Sequence, residues 1–308
     1  MFDIIGRRGL FFSLSGAVII PGLLALLFWG LNLGIDFTGG SMMEVRLGKS
    51  PATADLRAVL VGAGYADASV VTTGDGATRA YLLRTRTIDS VAKSELLKIV
   101  GEKYGPLTED RFESVGPVIG SETSVNAILS VTGASILILF YLSYAFRQVP
   151  NPWRYGACAV IALLHDTVLV TGLWSILGKV AGFEVDALFV TALLTVVGFS
   201  VHDTIVVFDR IRENVGKFPG EAFERVVNFS VNQTLDRSVN TSLTVVLTLT
   251  ALLLIGGATI RGFVLVLLVG IVAGTYSSIF NASCLLVSWE TGEIGRIWRQ
   301  IVPGRASA

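Results

Sequence analysis

The sequence is short of charge. Only 16% of its 308 residues are Asp, Glu, Lys or Arg, where a soluble domain carries about a quarter. The net charge is zero. That removes the basic surface a nucleic-acid-binding protein needs, and no nucleic-acid partner is expected. Cysteine is scarce too: Cys158 and Cys284 both fall inside apolar runs, which argues against an exported disulfide or a thiolate metal site and leaves them as packing residues. No nucleophile–base arrangement, metal-ligand spacing or phosphate loop appears. Gly39-Gly40 lacks the rest of a nucleotide-binding pattern, and the His-Asp pairs at 165–166 and 202–203 cannot by themselves form a triad or a metal cage. Neither a cofactor, a metal nor an enzymatic activity is expected.

What fills the space left by charge is apolar. Hydrophobic residues make up 52% of the chain, and six stretches can cross a hydrocarbon core about 30 Å thick: 10–31, 125–146, 156–177, 187–208, 239–260 and 262–289. Four of them contain no Asp, Glu, Lys, Arg or His. Arg7 and Arg8 before the first stretch resemble a basic leader. Its length, Pro21 within it and the lack of an A-x-A site favour an uncleaved span. The last stretch is longer than the core requires, so a tilt or an extension past one face is expected.

Charge in the short segments sets the orientation. With both termini in the cytoplasm, segments 1–9, 290–308 and the inner loops hold Arg7, Arg8, Arg147, Arg154, Arg210, Arg212, Lys217, Arg225, Arg237, Arg296, Arg299 and Arg305, whereas the outer short loops hold Lys179 and Arg261. Segment 32–124, with connectors, is then periplasmic. Its interior reads as strand 42–47, helix 53–62 opened by a Thr53 cap, strand 69–73, a turn at Gly74-Asp75-Gly76, strand 80–85, helix 89–104 and strand 112–119. The order βαββαβ is that of a small ferredoxin-like domain. Ten basic and ten acidic residues in 41–120 argue against a strongly charged partner. Segment 209–238 reads as a cytoplasmic amphipathic helix lying on the inner membrane surface or against the spans, since Phe223, Val226, Val227, Val231 and Thr234 recur at helical spacing. The sequons at Asn228, Asn232, Asn240 and Asn281 fall in cytoplasmic or buried places and are taken as chance matches.

Ionisable residues inside a span mark function by default, because a charge at the helix centre costs about 2.5–3.5 kcal/mol even on insertion scales. Asp203 lies seven residues before Arg210, roughly 10 Å deep at 1.5 Å per residue. Ser200 shares its face, and His165 and Asp166 lie at a similar depth from the same side. His202 points about 100° away from Asp203. In the fifth span Arg237, Asn240, Thr241, Thr244 and Thr248 fall within one narrow sector, a polar stripe under a cationic head that calls for protein or water instead of lipid. The plainer alternative is that these hydroxyls bond back to their own helix. Gly270, Gly274, Ser278 and Ala282, every fourth residue of the last span, form a small-residue ridge for close helix contact.

At these residues a resemblance appears. Residues 31–40 (LNLGIDFTGG), 197–214 (VGFSVHDTIVVFDRIREN), 233–238 (QTLDRS) and 274–278 (GTYSS) resemble motifs of the SecD/SecF family, within the resistance–nodulation–division superfamily. The likeness covers essentially all the spans, and the external domain matches in layout more than in residues. His202 departs from the family pattern, in which Asn or a small residue is expected. The resemblance implies a bacterial cytoplasmic-membrane protein with a SecD partner, working beside the Sec translocon to draw unfolded polypeptide outward on the proton-motive force. Asp203 and Arg237 would then couple the proton, with Ser200, His165, Asp166, Asn240, Thr241, Thr244 and Thr248 in support. Two alternatives stay open: half of a proton-driven exporter of small molecules or lipids, and a scaffold subunit.

Overall fold

A computed structural model describes residues 2–73, 79–293 and 296; the turn expected at Gly74-Asp75-Gly76, Arg299 and Arg305 lie outside them. The chain divides into two units, one of residues 1–31, 130–183 and 188–308, the other of residues 32–129 and 184–187.

The second unit is an α+β layer. Strand β1 (Gly40–Leu47) is followed by α3 (Thr53–Gly62), β2 (Ser69–Thr73), β3 (Ala80–Thr85), α4 (Ser90–Tyr104) and β4 (Leu107–Val115), after a single turn of helix, α2 (Ile35–Thr38). The strands form one antiparallel sheet in the order β2-β3-β1-β4, which agrees with the βαββαβ expectation. Alternation decides the faces: Met43 and Val45 of β1 and Tyr81 and Leu83 of β3 are buried with Leu56 and Leu60 of α3 and Leu96 and Val100 of α4. The Asp89 carboxylate caps α4, accepting from the Ala92 amide at 2.8 Å.

Two local expectations are corrected. The N-cap of α3 is Ala52, in extended conformation, and Thr53 is already helical and makes no capping bond. The last strand is Leu107–Val115, not 112–119, because Pro117 opens α5 (Pro117–Ala145); proline suits a first helical position, where no N–H is needed. The missed half of β4 is polar because β4 is an edge strand, whose Glu109 and Asp110 pair with Lys93 and Arg46. Gly39-Gly40 is a close crossing of backbones. Both glycines have positive φ (72° and 119°), and a Cβ on Gly40 would lie 2.8 Å from the Thr85 carbonyl oxygen. The same unit holds the short segment 184–187: the Gly34 amide donates to the Val185 carbonyl (2.7 Å), the Val185 amide to Asn32 (2.8 Å), and the Ala187 amide to the Asp36 carboxylate (2.8 Å). Arg84 pairs with Glu184.

In the first unit lie α1 (Arg8–Trp29), most of α5, α6 (Pro152–Ala181), α7 (Ala187–Lys217), α8 (Phe223–Ile255), α9 (Ala258–Tyr276), a π turn (Ser277–Asn281) and α10 (Ala282–Glu290). Among the described residues, six helices are long and apolar enough to cross a membrane, the last combining α9, the π turn and α10. Burial ranks them: half of the apolar window of α7 and 56% of that of the last span are buried, against 17% in α1 and α8 and 6% in α5. The centre is therefore α7 against the last span. Around it Phe146, Tyr155 and Phe208 pack ring on ring, and Cys158 and Cys284 are fully buried among apolar neighbours, as packing residues are.

The amphipathic segment expected at 209–238 is not a separate element. Helix α7 runs on to Lys217, and α8 continues without a break from Phe223 to Ile255, so the fifth span begins as that segment and ends before Gly256 instead of at residue 260. Its first turns are polar yet packed: Asn214 of α7 donates to Ser230 (2.9 Å) and Gln233 (3.0 Å). Two of the discounted asparagines have structural work. Asn228 Oδ1 accepts from the Ile4 and Ile5 amides (2.8 and 3.2 Å), and Asn232 Oδ1 from the Phe2 amide (2.8 Å), which ties residues 2–5 to α8.

Candidate functional site

Helix α7 buries Val196, Ser200, Asp203, Thr204 and Val207 along one face, an apolar stripe interrupted by polar groups. Asp203 is 2% exposed. Its Oδ2 accepts from Ser242 Oγ of α8 and Thr275 Oγ1 of α9, both at 3.4 Å, and these hydroxyls are 2.6 Å from one another. The contacts are long for O–H···O bonds, whose usual distance is about 2.7–2.8 Å. A hydroxyl can donate or accept, so both the ionised and the protonated carboxyl find a partner here. No Lys or Arg pairs with Asp203 among the described residues. The chemistry available to such a group is the binding and release of a proton.

The expected polar stripe lies on the other side of α8. Arg237, Asn240, Thr241, Thr244 and Thr248 are exposed. The threonine hydroxyls bond back to Arg237, Thr241 and Thr244 carbonyls at 2.7–2.9 Å, and Arg237 makes no ion pair among the described residues. Arg237 and Asp203 are therefore not brought together. The helical repeat gives the reason: five residues separate Arg237 from Ser242, a rotation of about 140°. The face turned to Asp203 carries Ser238 and Ser242, both buried. They continue a four-residue series through Ser230 and Thr234, a signal present in the sequence but overshadowed by the arginine-headed stripe. His202 is also exposed, whereas Asp203 beside it is buried.

Ser200 serves a different carboxylate. Asp166 of α6 is 1% exposed and accepts from Ser200 Oγ (2.6 Å) and Ser277 Oγ (2.7 Å) on Oδ2 and pairs through Oδ1 with His165 Nδ1 (2.9 Å). His165 Nε2 lies 3.1 Å from Asn281 Nδ2, which also reaches Ser15 Oγ at 2.7 Å. Hence Asp203 and Asp166 occupy two hydrogen-bonded clusters and not one, although α7 and the last span contribute to both. Thr275, Ser277 and Asn281 in the last span, like Ser15 in the first, carried only the weak signal of a polar residue in an otherwise apolar run. The small-residue ridge is what permits this: a Cβ on Gly270 would fall 2.3 Å from Val196 Cγ2, and one on Gly274 would fall 2.9 Å from Ser200 Cβ.

With this geometry in place, the chain matches two family descriptions, "Protein export membrane protein SecD/SecF, C-terminal" over residues 96–292 and "SecD/SecF GG Motif" over residues 25–51. Among similar curated proteins, the protein translocase subunit SecF of Thermobaculum terrenum is 51% identical over 316 residues, with 100% of both chains covered. That of Anaerolinea thermophila is 46% identical, with 97% of this chain and 96% of the relative covered. The crystal structure of SecDF, a translocon-associated membrane protein from Thermus thermophilus, superposes with a TM-score of 0.83 at 34% identity; it covers 94% of this chain, which spans 39% of that longer one.

Proposed function

Since this chain belongs to the SecD/SecF family of protein-export membrane proteins, we propose that it is the six-span half of a membrane machine that uses the proton-motive force to complete Sec-dependent translocation of unfolded polypeptide. The observation that carries the reading is Asp203, a carboxyl buried at mid-helix in a candidate span, whose hydrogen-bond partners among the described residues are neutral hydroxyls. An intramembrane acid of this kind is costly to keep and characteristic of proton pathways. Each charge moved across about 100 mV supplies roughly 2.3 kcal/mol, enough to bias a conformational cycle without nucleotide. Relatives in Bacillus subtilis and Thermus thermophilus are named SecDF, one name for SecD and SecF together, and a SecD chain is the partner proposed here. It would cover the exposed faces of α7 and α8, where His202, Arg237 and the threonine stripe would otherwise meet lipid. On that face Arg237, permanently charged, supplies the charge that the cycle moves relative to Asp203.

The test is export into inverted bacterial membrane vesicles stripped of this chain and then reconstituted. Restored late-stage export that responds to an imposed proton gradient is expected, together with co-purification of a second six-span chain. Gradient-independent rescue, or isolation of the chain only as a monomer from native membranes, would count against the proposal.

Orientation is proposed from the loop charges, with both termini in the cytoplasm and the α+β unit in the periplasm. Cysteines introduced at Glu95 on α4 and at Gly216 near the end of α7 should therefore be labelled from opposite sides of the membrane by an impermeant maleimide, Glu95 from outside. The reverse pattern would overturn the proposed orientation.

A further inference from the structure

The proposal above uses Asp203 and leaves the second buried carboxylate without a task. The shortest contacts favour one state. A hydroxyl carries one hydrogen. Those of Ser200 and Ser277 reach Asp166 Oδ2 at 2.6 and 2.7 Å, closer than the Gly274 carbonyl that Ser277 also meets (3.2 Å); Ser278 donates to the Ser200 carbonyl at 2.7 Å, closer than Thr204 comes to it (3.1 Å), and Thr204 donates to Ser278 Oγ (2.9 Å). Asp166 is thus an acceptor at these contacts, as an ionised carboxylate is. An ionised Asp166 in turn places the hydrogen of neutral His165 on Nδ1, so the bare Nε2 accepts from Asn281 Nδ2. Asn281 Oδ1 is left buried with no hydrogen-bond donor among the described residues, which is costly and calls for an explanation.

That orphan oxygen is the acceptor a second state would need. When a proton adds to the lone pair of His165 Nε2, no covalent bond in the protein breaks, but Nε2 becomes a donor and can no longer face an amide NH2. A half-turn of the Asn281 amide places Oδ1 there instead and carries Nδ2 to the buried place where Oδ1 had no partner, so the unpaired position is exchanged between the two states and not removed. Oδ1 then accepts from Nε2–H, while the Ser15 hydroxyl, an acceptor from Asn281 before, becomes a donor. The imidazolium keeps Asp166 on its other side as a charged partner. The groups set against the ring are Asp166 from α6, the Tyr276 phenol ring from α9 at 6.5 Å between centroids, and neutral Ser15 and Asn281 from α1 and the π turn. The His165 side chain is 10% exposed, against 1% for Asp166.

Ser277, Ser278 and Asn281 tie the π turn into this cluster, and such turns within α-helices are frequent at functional sites. We propose that His165 and Asp166 form a second proton-binding site, separate from Asp203, whose occupancy is read by the Asn281 amide and passed to the π turn of the last span. Its part in export rests on the proton-driven reading above; the binding itself does not.

The test is 15N NMR of the full chain, labelled at histidine and reconstituted in phospholipid vesicles, with the His165 signals assigned by their loss in His165→Gln. One bare and one protonated ring nitrogen are expected at neutral pH, and two protonated ones on acidification. In Asp166→Asn the ratio of doubly to singly protonated ring at a fixed acidic pH should fall about tenfold, the effect of losing one neighbouring charge. In Asn281→Leu, which keeps the bulk and lacks the amide, it should fall about threefold, the size of one ordinary hydrogen bond. Asp203→Asn should leave it unchanged. A ring that never gains the second proton while the protein stays folded overturns the site, as does Asn281→Leu behaving like the wild type; that variant decides the matter if Asp166→Asn does not insert. If the His165 signals respond as expected while Asp203→Asn retains gradient-driven export, the site stands and the reading of Asp203 falls.

Discussion

An Asp203→Asn chain is expected to reach wild-type levels in the membrane, to assemble with the proposed partner, and to lose the part of export that responds to a proton gradient. Asn has the size of Asp and can meet the Ser242 and Thr275 hydroxyls, so packing between α7, α8 and α9 is kept. What disappears is the ability to gain and lose a proton. If Asp203 carries the coupling proton, the gradient-stimulated rate in reconstituted vesicles falls to the level seen without a gradient, a loss of at least tenfold, or about 1.4 kcal/mol of driving force. The companion substitutions grade the mechanism. Arg237→Met is expected to impair the same component, because on the proposed cycle it removes the charge that moves relative to Asp203. Thr248→Val has little effect, since that hydroxyl bonds to the Thr244 carbonyl on its own helix. Full gradient stimulation in Asp203→Asn at normal chain levels would sink the idea.

The spans, the layout of the α+β unit and the prominence of Asp203 as a buried acid were legible because each rests on a strong local signal: apolar length, period-two alternation, or an acid in an apolar run. The polar half of β4 was not legible. An edge strand exposes its side chains, and Thr108, Glu109, Asp110 and Arg111 do not alternate as a half-buried strand does. The continuity of α8 was missed for a related reason. Its first turns bury Ser230, Thr234 and Ser238 against neighbouring helices, so a composition that looks like a surface helix is in fact packed. Facing was the harder question at the site. Spacing along one helix tells which residues share a side, but not which neighbour that side meets, so Arg237 and Thr241 drew attention while Ser242 held the carboxyl. Asn281 had been set aside as a chance sequon, yet it bridges Ser15 and His165.

The small-residue ridge of the last span offers the strongest test of the packing itself. Leucine at Gly274 should lower the melting temperature of the detergent-solubilised protein and its steady-state level in the membrane more than any conservative change at the polar cluster. Even the first added carbon, at 2.9 Å from Ser200 Cβ and 3.5 Å from Asp166 Oδ2, cannot be relieved by a side-chain rotation, because Ser200 Cβ is fixed to the backbone of α7. The two helices must move apart. Overpacking of this kind costs about 1–3 kcal/mol, sometimes more, and here it would also stretch the bonds from Ser200 and Ser277 to Asp166. Gly274→Ala meets the same first contact with less bulk, so a smaller loss is expected. Gly133→Leu on α5 is the control: a Cβ there has nothing within 4 Å, and replacing a helical glycine removes a local penalty of about 1 kcal/mol. The expected order of melting temperatures is Gly133→Leu at or above wild type, then Gly274→Ala, then Gly274→Leu. Were Gly274→Leu to melt with the wild type, α7 and the last span would not be in the close contact that brings Ser200, Asp166 and the π turn together, and the second cluster would lose its physical basis.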